Sequence, residues 1–446
     1  MVFLGIVVIA IFLYARGYKI SSLLFFFFFI TSGFNLVPEE ITKFAFISKG
    51  SDYAFLILVG IIIIDSLFSQ GYFNRDNFTK YLIVFATFLI ICIFYSKFIV
   101  KLSWGDILRT SRYQFFWVAY FLFRSLKKET LEALLKCLFY ISLFTASLFL
   151  LQIVFNKSIL LEGQKVYALL FGYKIPRFYN QPDMLFFFTF MALYNNPLKG
   201  ISKYVSMIIL TAALLGAFHR SLVITFIAAI SIGYVIRLPR FKRTAILTSI
   251  AIIGLIFIVF WGYEFANSRT IKDIAIVTSG DVANIDTKDI DIEDLQKSTF
   301  TFRIAHLLER NQYLLDHPKA MIFGAGLIPE DSELVNKMFD FKIGLAEELT
   351  NNVVQLETGD ISYSVLILRL GYIGTLLYLL LIAYLLIFFY KKKDNSYGFF
   401  SFLYLVLTIG VSFFSANLLN PVTFLMPLIS YHIIKKTYSE KVENNS

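Results

Sequence analysis

Thr299-Phe-Thr-Phe-Arg303-Ile-Ala-His306-Leu-Leu-Glu309-Arg310-Asn-Gln-Tyr313-Leu-Leu-Asp316 stands inside the one long hydrophilic segment of this chain, Tyr263 to Asp360. Ile304, Leu307, Leu308, Leu314 and Leu315 recur at helical spacing, which predicts an amphipathic helix with those residues as its apolar side. His317-Pro318 stops it, because proline lacks an N–H and restricts the residue before it. Gly324-Ala-Gly326 follows as a turn, and residues 332–349 predict a second amphipathic helix. Residues 263–298, rich in Asp, Asn, Ile and Lys, read as irregular. A segment this long, neither apolar nor low in complexity, predicts a small subdomain at the water interface. It holds nine basic residues against eighteen acidic ones; the whole chain is +10, so the remainder carries +19.

Working outward, the rest of the chain is apolar. Of 446 residues 58% are hydrophobic, with 51 Phe and 26 Tyr, and only 16% are charged, against roughly 25% in soluble domains. Repeated apolar runs of about 15 to 25 residues predict an all-α polytopic membrane protein. Continuous rather than alternating runs argue against a β-barrel. The spans read at 2–15, 20–37, 53–69, 80–96, 112–126, 133–155, 183–195, 204–218, 221–236, 244–262, 361–390, 399–415 and 421–434. That is about 12–14 transmembrane helices. Those at 2–15, 183–195 and 421–434 are short for a bilayer and fit tilted or half-spanning helices. The organisation expected is a bundle of about ten spans over 1–262, the loop subdomain with short amphipathic helices over 263–360, C-terminal spans over 361–436 and a cytoplasmic tail, 437–446.

Basic clusters set the orientation. Arg16 and Lys19; Arg75 and Lys80; Arg124, Lys127 and Lys128; Lys199 and Lys203; Arg237 to Arg243; Lys391 to Lys393; and Lys435 and Lys436 mark alternate loops, all expected to be cytoplasmic. The large segment then faces out. The loop with Lys97, Lys101, Arg109 and Arg112 breaks the rule by landing outside. The amino terminus also falls outside, which an upstream helix or another start site would explain. The first run lacks the basic region and small-residue site of a cleavable signal peptide.

Cys92 and Cys137 lie inside apolar runs and read as packing residues rather than a disulfide. Two Cys and four His offer no zinc or iron spacing. The positive balance sits in short inter-helix loops, so it signals topology and not nucleic acid. Gly324-Ala-Gly326 has no third glycine and no preceding strand, which makes a dinucleotide fingerprint improbable. No internal repeat is visible, and the charges gather on one face; both count against a transporter.

Four places on the outward side carry candidate chemistry. Arg220 lies in the tight junction Gly216-Ala-Phe-His219-Arg220-Ser221 between apolar runs, where an ionisable residue is costly; a snorkelling interfacial cation is the plain alternative. Arg177 precedes an aromatic and amide run, Phe178-Tyr-Asn180-Gln-Pro-Asp183. Arg303 rides the amphipathic helix, and alone it reads as a solvated charge. Three guanidinium forks from separate segments suit the oxygens of one diphosphate. Asp360 ends the segment where the next helix begins; it reads as an N-cap and also as a general base within reach of an acceptor hydroxyl. Tyr363 follows it on that helix, and Arg369, half a turn around from Asp360, reads as buried in the span.

In this order, the pieces resemble the family of O-antigen polymerases and O-antigen ligases. They are Arg177 with Asn180-Gln-Pro-Asp183, Phe218-His219-Arg220-Ser221, Arg303 with Pro318 and Gly324-Ala-Gly326, and Asp360 with Gly371-Tyr-Ile-Gly374. The likeness covers roughly residues 170–385 and the hydropathy profile. It implies a C-type glycosyltransferase fold in the bacterial inner membrane, with the large loop facing the periplasm or cell exterior. It also implies a donor of undecaprenyl-diphosphate-linked oligosaccharide, an acceptor sugar, no nucleotide sugar, no cofactor and no catalytic metal. Arg220 and Arg303 would hold the diphosphate, assisted by Arg177; beside this implication, the residues themselves read Asn180, Asp183, His219 and Tyr363 as substrate-binding and Asp360 as the candidate base. A chain-length regulator protein and membrane lipid are the further partners it admits. Family ligases place a histidine near the end of the loop. This chain has only Glu357 and Asp360 there, which favours a polymerase over a ligase; a lipid-linked oligosaccharide flippase is the further alternative, against which the missing repeat and the one-sided charges count.

Overall fold

The computed structural model describes residues 2–44, 47, 49–68, 76–161, 165–170, 173–178, 180–217, 220–238, 299–329, 332–339, 344–346, 353–355 and 361–443. The continuous apolar runs become helices. Four are long and apolar enough to cross a membrane: Gly50–Leu67, Asn77–Phe98, Lys128–Phe155 and Ser362–Lys391. In chain order the helices are α1 Val2–Ala15, α2 Lys19–Ile30, α3 Gly50–Phe68, α4 Asn77–Phe98, α5 Trp104–Ser111, α6 Ala119–Ser125 and α7 Lys128–Phe155. After a hairpin of β1 Lys165–Leu170 and β2 Tyr173–Phe178 come α8 Leu185–Tyr194, α9 Gly200–Gly216 and α10 Arg220–Arg237. From the hydrophilic segment come α11 Thr299–Asp316, α12 Pro318–Phe323, α13 Glu333–Met338 and a second hairpin, β3 Gly344–Ala346 with β4 Val353–Gln355. The chain closes with α14 Ser362–Lys391, α15 Ser396–Val411 and α16 Val422–Glu443.

Local chemistry sets several ends. Asp76 caps α4 by accepting the Thr79 N–H at 2.8 Å, and Ser103 caps α5 by accepting the Asp106 N–H at 3.0 Å. Asn156 ends α7 in the left-handed conformation that asparagine tolerates. The core is aromatic: Trp117 lies flat on Phe424, ring centroids 4.1 Å apart, and Phe78 packs against Tyr120, Tyr384 and Tyr431.

Polar groups gather at the two ends of the bundle. At one, Asp76 accepts from Lys435 Nζ and Tyr120 Oη, each at 2.5 Å, while Lys128 pairs with Glu440 at 2.9 Å and Lys436 donates to the Arg124 carbonyl at 3.0 Å. Arg124, Lys128, Lys435 and Lys436 are all residues whose loops are expected on one side. The other end carries Asn35, Asp183 and Asn420.

Most expected spans overlie a helix, and the exceptions are instructive. The run 20–37 stops at Ile30, where the backbone turns left-handed. The run 112–126 breaks into a 3-10 turn, Gln114–Val118, followed by α6. The span 244–262 lies outside the described residues. The helix expected over 332–349 ends at Met338, and Gly344–Ala346 is a strand. α16 continues past the span expected at 421–434 and runs to Glu443. The fold is mostly helical, as expected of an all-α membrane protein, with two small hairpins besides; Lys174 and Arg177 stand on the first, with Val166 opposite Arg177.

The hydrophilic segment is keyed into the bundle at one backbone crossing. α14 is broken at Gly371 (φ 65, ψ −173), which leaves a short leg, Ser362 to Leu370, ahead of a span of about 20 residues, roughly 30 Å long. Gly324 (φ +71) faces the break, and a Cβ there would lie 2.3 Å from the Leu368 carbonyl oxygen. A Cβ on Gly371 (φ +65) would lie 2.5 Å from the Ile322 oxygen. With both side chains absent, Ala325 donates its N–H to the Leu368 oxygen at 2.7 Å. Arg369 lies in the short leg at this crossing rather than deep in the span, and its Nε donates to the Ile328 carbonyl at 3.2 Å.

Candidate functional site

A cavity of about 380 Å³ opens at the end of the bundle that holds Asp183. Gln181, Pro182 and Asp183 enter it from the loop ahead of α8, and Ser221 and Leu222 from the first turn of α10. Tyr404 and Thr408 come from α15, Phe414 and Ser415 from the loop after it, and Asn420 and Thr423 from the start of α16. That loop is tightly braced. Ser412 Oγ accepts from Leu418 N at 3.1 Å, Thr423 Oγ1 donates to the Asn417 oxygen at 2.6 Å, and Ser362 Oγ donates to the Ser415 oxygen at 2.8 Å.

Asp183 is positioned by two amides. Asn35 Nδ2 donates to its Oδ2 at 3.3 Å, Asn420 Nδ2 donates to its Oδ1 at 3.1 Å, and its own N–H donates to Asn35 Oδ1 at 3.2 Å. Delivering Asn35 requires an unusual backbone. Ser32, Gly33, Phe34 and Asn35 all have positive φ, between 47° and 66°, making one left-handed turn after α2. Each non-glycine residue so placed costs about 1–2 kcal/mol. The surroundings compensate: Thr31 Oγ1 accepts the Phe34 N–H at 3.2 Å, the Phe34 ring packs on Phe28, and the Asn35 oxygen accepts the Leu161 N–H at 2.9 Å. Burial pushes the Asp183 carboxyl up to about 6, moderated by the hydrogen bonds from Asn35 and Asn420.

The helix that carries Arg303 is turned partly away from its expected orientation. Leu308 and Leu315 are exposed, whereas His306 and Arg310 are fully buried together with Leu314. Arg303, His306 and Arg310 recur at helical spacing along one face. That face meets polar groups on α14 and not lipid: Ser364 Oγ and His306 Nδ1 are hydrogen-bonded at 2.7 Å, and Tyr372 Oη donates to Asn311 Oδ1 at 2.6 Å. Arg310 pairs with Glu309 at 2.6 Å and stacks over the Phe339 ring at 4.3 Å. Burial, with Arg310 adding to it, holds the His306 imidazole well below its ordinary pKa, so it stays neutral. Arg303, half-buried, lies with Cζ 5.9 Å from the Phe414 ring centroid, and Phe414 is a wall of the cavity.

The remaining expected residues fall as follows. Arg220 is the first residue of α10, directly before the cavity-lining Ser221; its side chain lies outside the described residues, as do His219 and Asp360. Ile361, not Asp360, occupies the cap position of α14, whose Ser362 N–H is satisfied by the carbonyls of Ser412 and Ser415. The Asn180 amide accepts from Gln152 at 2.8 Å and donates to the Leu161 carbonyl, which braces the loop ahead of α8. Tyr363 donates to the Ile409 carbonyl at 3.0 Å and packs on Phe413 behind the cavity wall. Arg177 is half-buried on β2, a strand that contributes nothing to the described lining.

Asn35, Tyr404, Thr408 and Asn420 were not singled out from the sequence. Asn420-Pro421 between apolar runs was a readable turn signal; Asn35 gave none. Among the described residues, no three His, Cys, Asp or Glu side chains are grouped to hold a metal ion. Compared with known proteins, the chain matches no family model and no curated protein.

Proposed function

We propose that this protein is a membrane glycosyltransferase of the O-antigen polymerase kind, with a C-type glycosyltransferase fold. It joins undecaprenyl-diphosphate-linked oligosaccharide repeat units into a surface polysaccharide at the outer face of the bacterial cytoplasmic membrane. The observation that carries this reading is the lining of the cavity: side-chain amides and hydroxyls, one carboxylate and two phenyl rings, with Arg303 against the rim and Arg220 one residue from the wall. Amides and hydroxyls both donate and accept, which matches a sugar's ring of hydroxyls, and phenyl rings suit its C–H faces. The lipid diphosphate is the leaving group. Guanidinium forks bind its oxygens in pairs and stabilise the charge that grows on it in the transition state. The neighbouring membrane helices keep the polyprenyl chain in lipid while the reacting carbon reaches the cavity.

The test is the length distribution of lipid-linked and surface glycan in a strain deleted for this gene. Single repeat units in place of long chains are expected. Long chains trapped on undecaprenyl diphosphate would instead identify a ligase. Single units confined to the cytoplasmic leaflet would identify a flippase and end the catalytic reading.

A further inference from the structure

Glycosyl transfer to a hydroxyl needs a group that takes the acceptor's proton. We propose that the Asp183 carboxylate, held in the cavity wall between the Asn35 and Asn420 amides, is the general base that removes it. This rests on the glycosyl-transfer reading.

Three observations carry it. First, the carboxylate is oriented by neutral donors, Asn35 Nδ2 at 3.3 Å on one oxygen and Asn420 Nδ2 at 3.1 Å on the other. A cationic partner would fix the group equally well but would weaken it as a base. One hydrogen bond per oxygen leaves further lone pairs for the substrate. Second, the chain adopts a left-handed turn, Ser32 to Asn35, whose last residue supplies one of those donors. Such strain marks sites where position matters more than local stability. Third, Asp183 is the single carboxylate on the described lining, and Tyr404 is the other titratable group there. Among the described residues, the other polar groups of the site include the neutral Asn35, Ser221, Thr408 and Asn420, with Arg303 beyond Phe414. A carboxyl raised to about 6 by burial is ionised at neutral pH and a stronger base than a solvated aspartate.

The step balances. The acceptor O–H bond breaks and its proton passes to an Asp183 carboxylate oxygen. The acceptor oxygen bonds to the donor's anomeric carbon as the bond from that carbon to the diphosphate oxygen breaks. The bonding pair leaves on the diphosphate, and Asp183 returns its proton to water.

The test uses the full-length protein in proteoliposomes with lipid-linked repeat units extracted from the deletion strain. Asp183→Asn is expected to lower kcat by about a hundredfold or more, with KM for the lipid-linked unit and the yield of inserted protein unchanged. Asp183→Glu should restore part of the rate. The wild-type rate should fall on the acid side with a midpoint near 6. A wild-type kcat in Asp183→Asn, or a loss confined to KM, would overturn the assignment while leaving glycosyl transfer intact. Failure of the wild-type protein to lengthen chains would instead overturn the parent reading. If Asp183→Asn does not fold, the wild-type pH profile decides, since a rate flat from about pH 5 to 7 excludes a base of this strength.

Discussion

The Arg303 guanidinium lies 5.9 Å from the Phe414 centroid, and the same ring faces the cavity, so the cation is fixed beside the space and not dispersed in solvent. Arg303→Ala and Arg220→Ala are expected to abolish long-chain product, at least about a hundredfold in rate, with normal levels of inserted protein. Arg303→Lys should recover little, because a point charge replaces a planar fork. Wild-type glycan lengths in the alanine variants would remove the diphosphate clamp. Asn35 makes a subtler prediction. Its amide favours the ionised Asp183, so Asn35→Ala should raise that carboxyl further and move the acid limb of the rate above the wild-type midpoint near 6. A limb that stays in place would show that Asn35 does not tune the group. Asp183 itself was readable in the run Asn180-Gln-Pro-Asp183. Its partners were not, because they lie 148 and 237 positions away along the chain.

At the scale of elements, the apolar runs were legible because a helix that crosses lipid needs about 20 predominantly apolar residues. α11 was legible as a helix but only partly in its orientation. Leu314 is buried as expected, while Leu308 and Leu315 point outward because the inner neighbours include the Ser364 hydroxyl and the Tyr372 phenol, which suit His306 and Asn311 better than a methyl group. Periodicity shows that two faces differ, and the partner decides which is buried. Gly324 and Gly371 were likewise both noticed in the sequence, but not as each other's neighbours. Gly371→Ala is expected to destabilise the folded protein by about 1–3 kcal/mol through backbone conformation alone, with the 2.5 Å approach to Ile322 adding to it. Thermal unfolding in detergent measures this, and the same loss is expected for Gly324→Ala. An unchanged midpoint in both would mean that the crossing is not a packing constraint.

For the whole molecule, the last helix is tied to the first third of the chain at the bundle end remote from the cavity. Asp76, in the loop ahead of α4, receives Lys435 from the last helix and Tyr120 from the turn of helix before α7. Burial alone would raise its carboxyl, yet Lys435, Tyr120 and Thr79 outweigh that and hold it well below the usual carboxylate range. A depressed carboxyl contributes stability that is fully present above its unfolded pKa and lost only as pH falls through the folded value. Mild acid should therefore leave this tie intact, whereas Asp76→Asn should cost about 1.5–3 kcal/mol, read as a lower unfolding midpoint at neutral pH. An unchanged midpoint would show the tie to be solvent-screened. Basic residues predicted which loops lie together; they did not predict that Asp76 would gather them.

The two amides on Asp183 also set when the site matures. Asn35 is made early, and Asn420 only just before the final helix. Until Asn420 has been synthesised and seated, one Asp183 oxygen lacks its donor and the wall from Tyr404 to Thr423 is not yet in place. Half-inserted chains therefore lack a finished cavity, and closing its wall is among the last events of biogenesis.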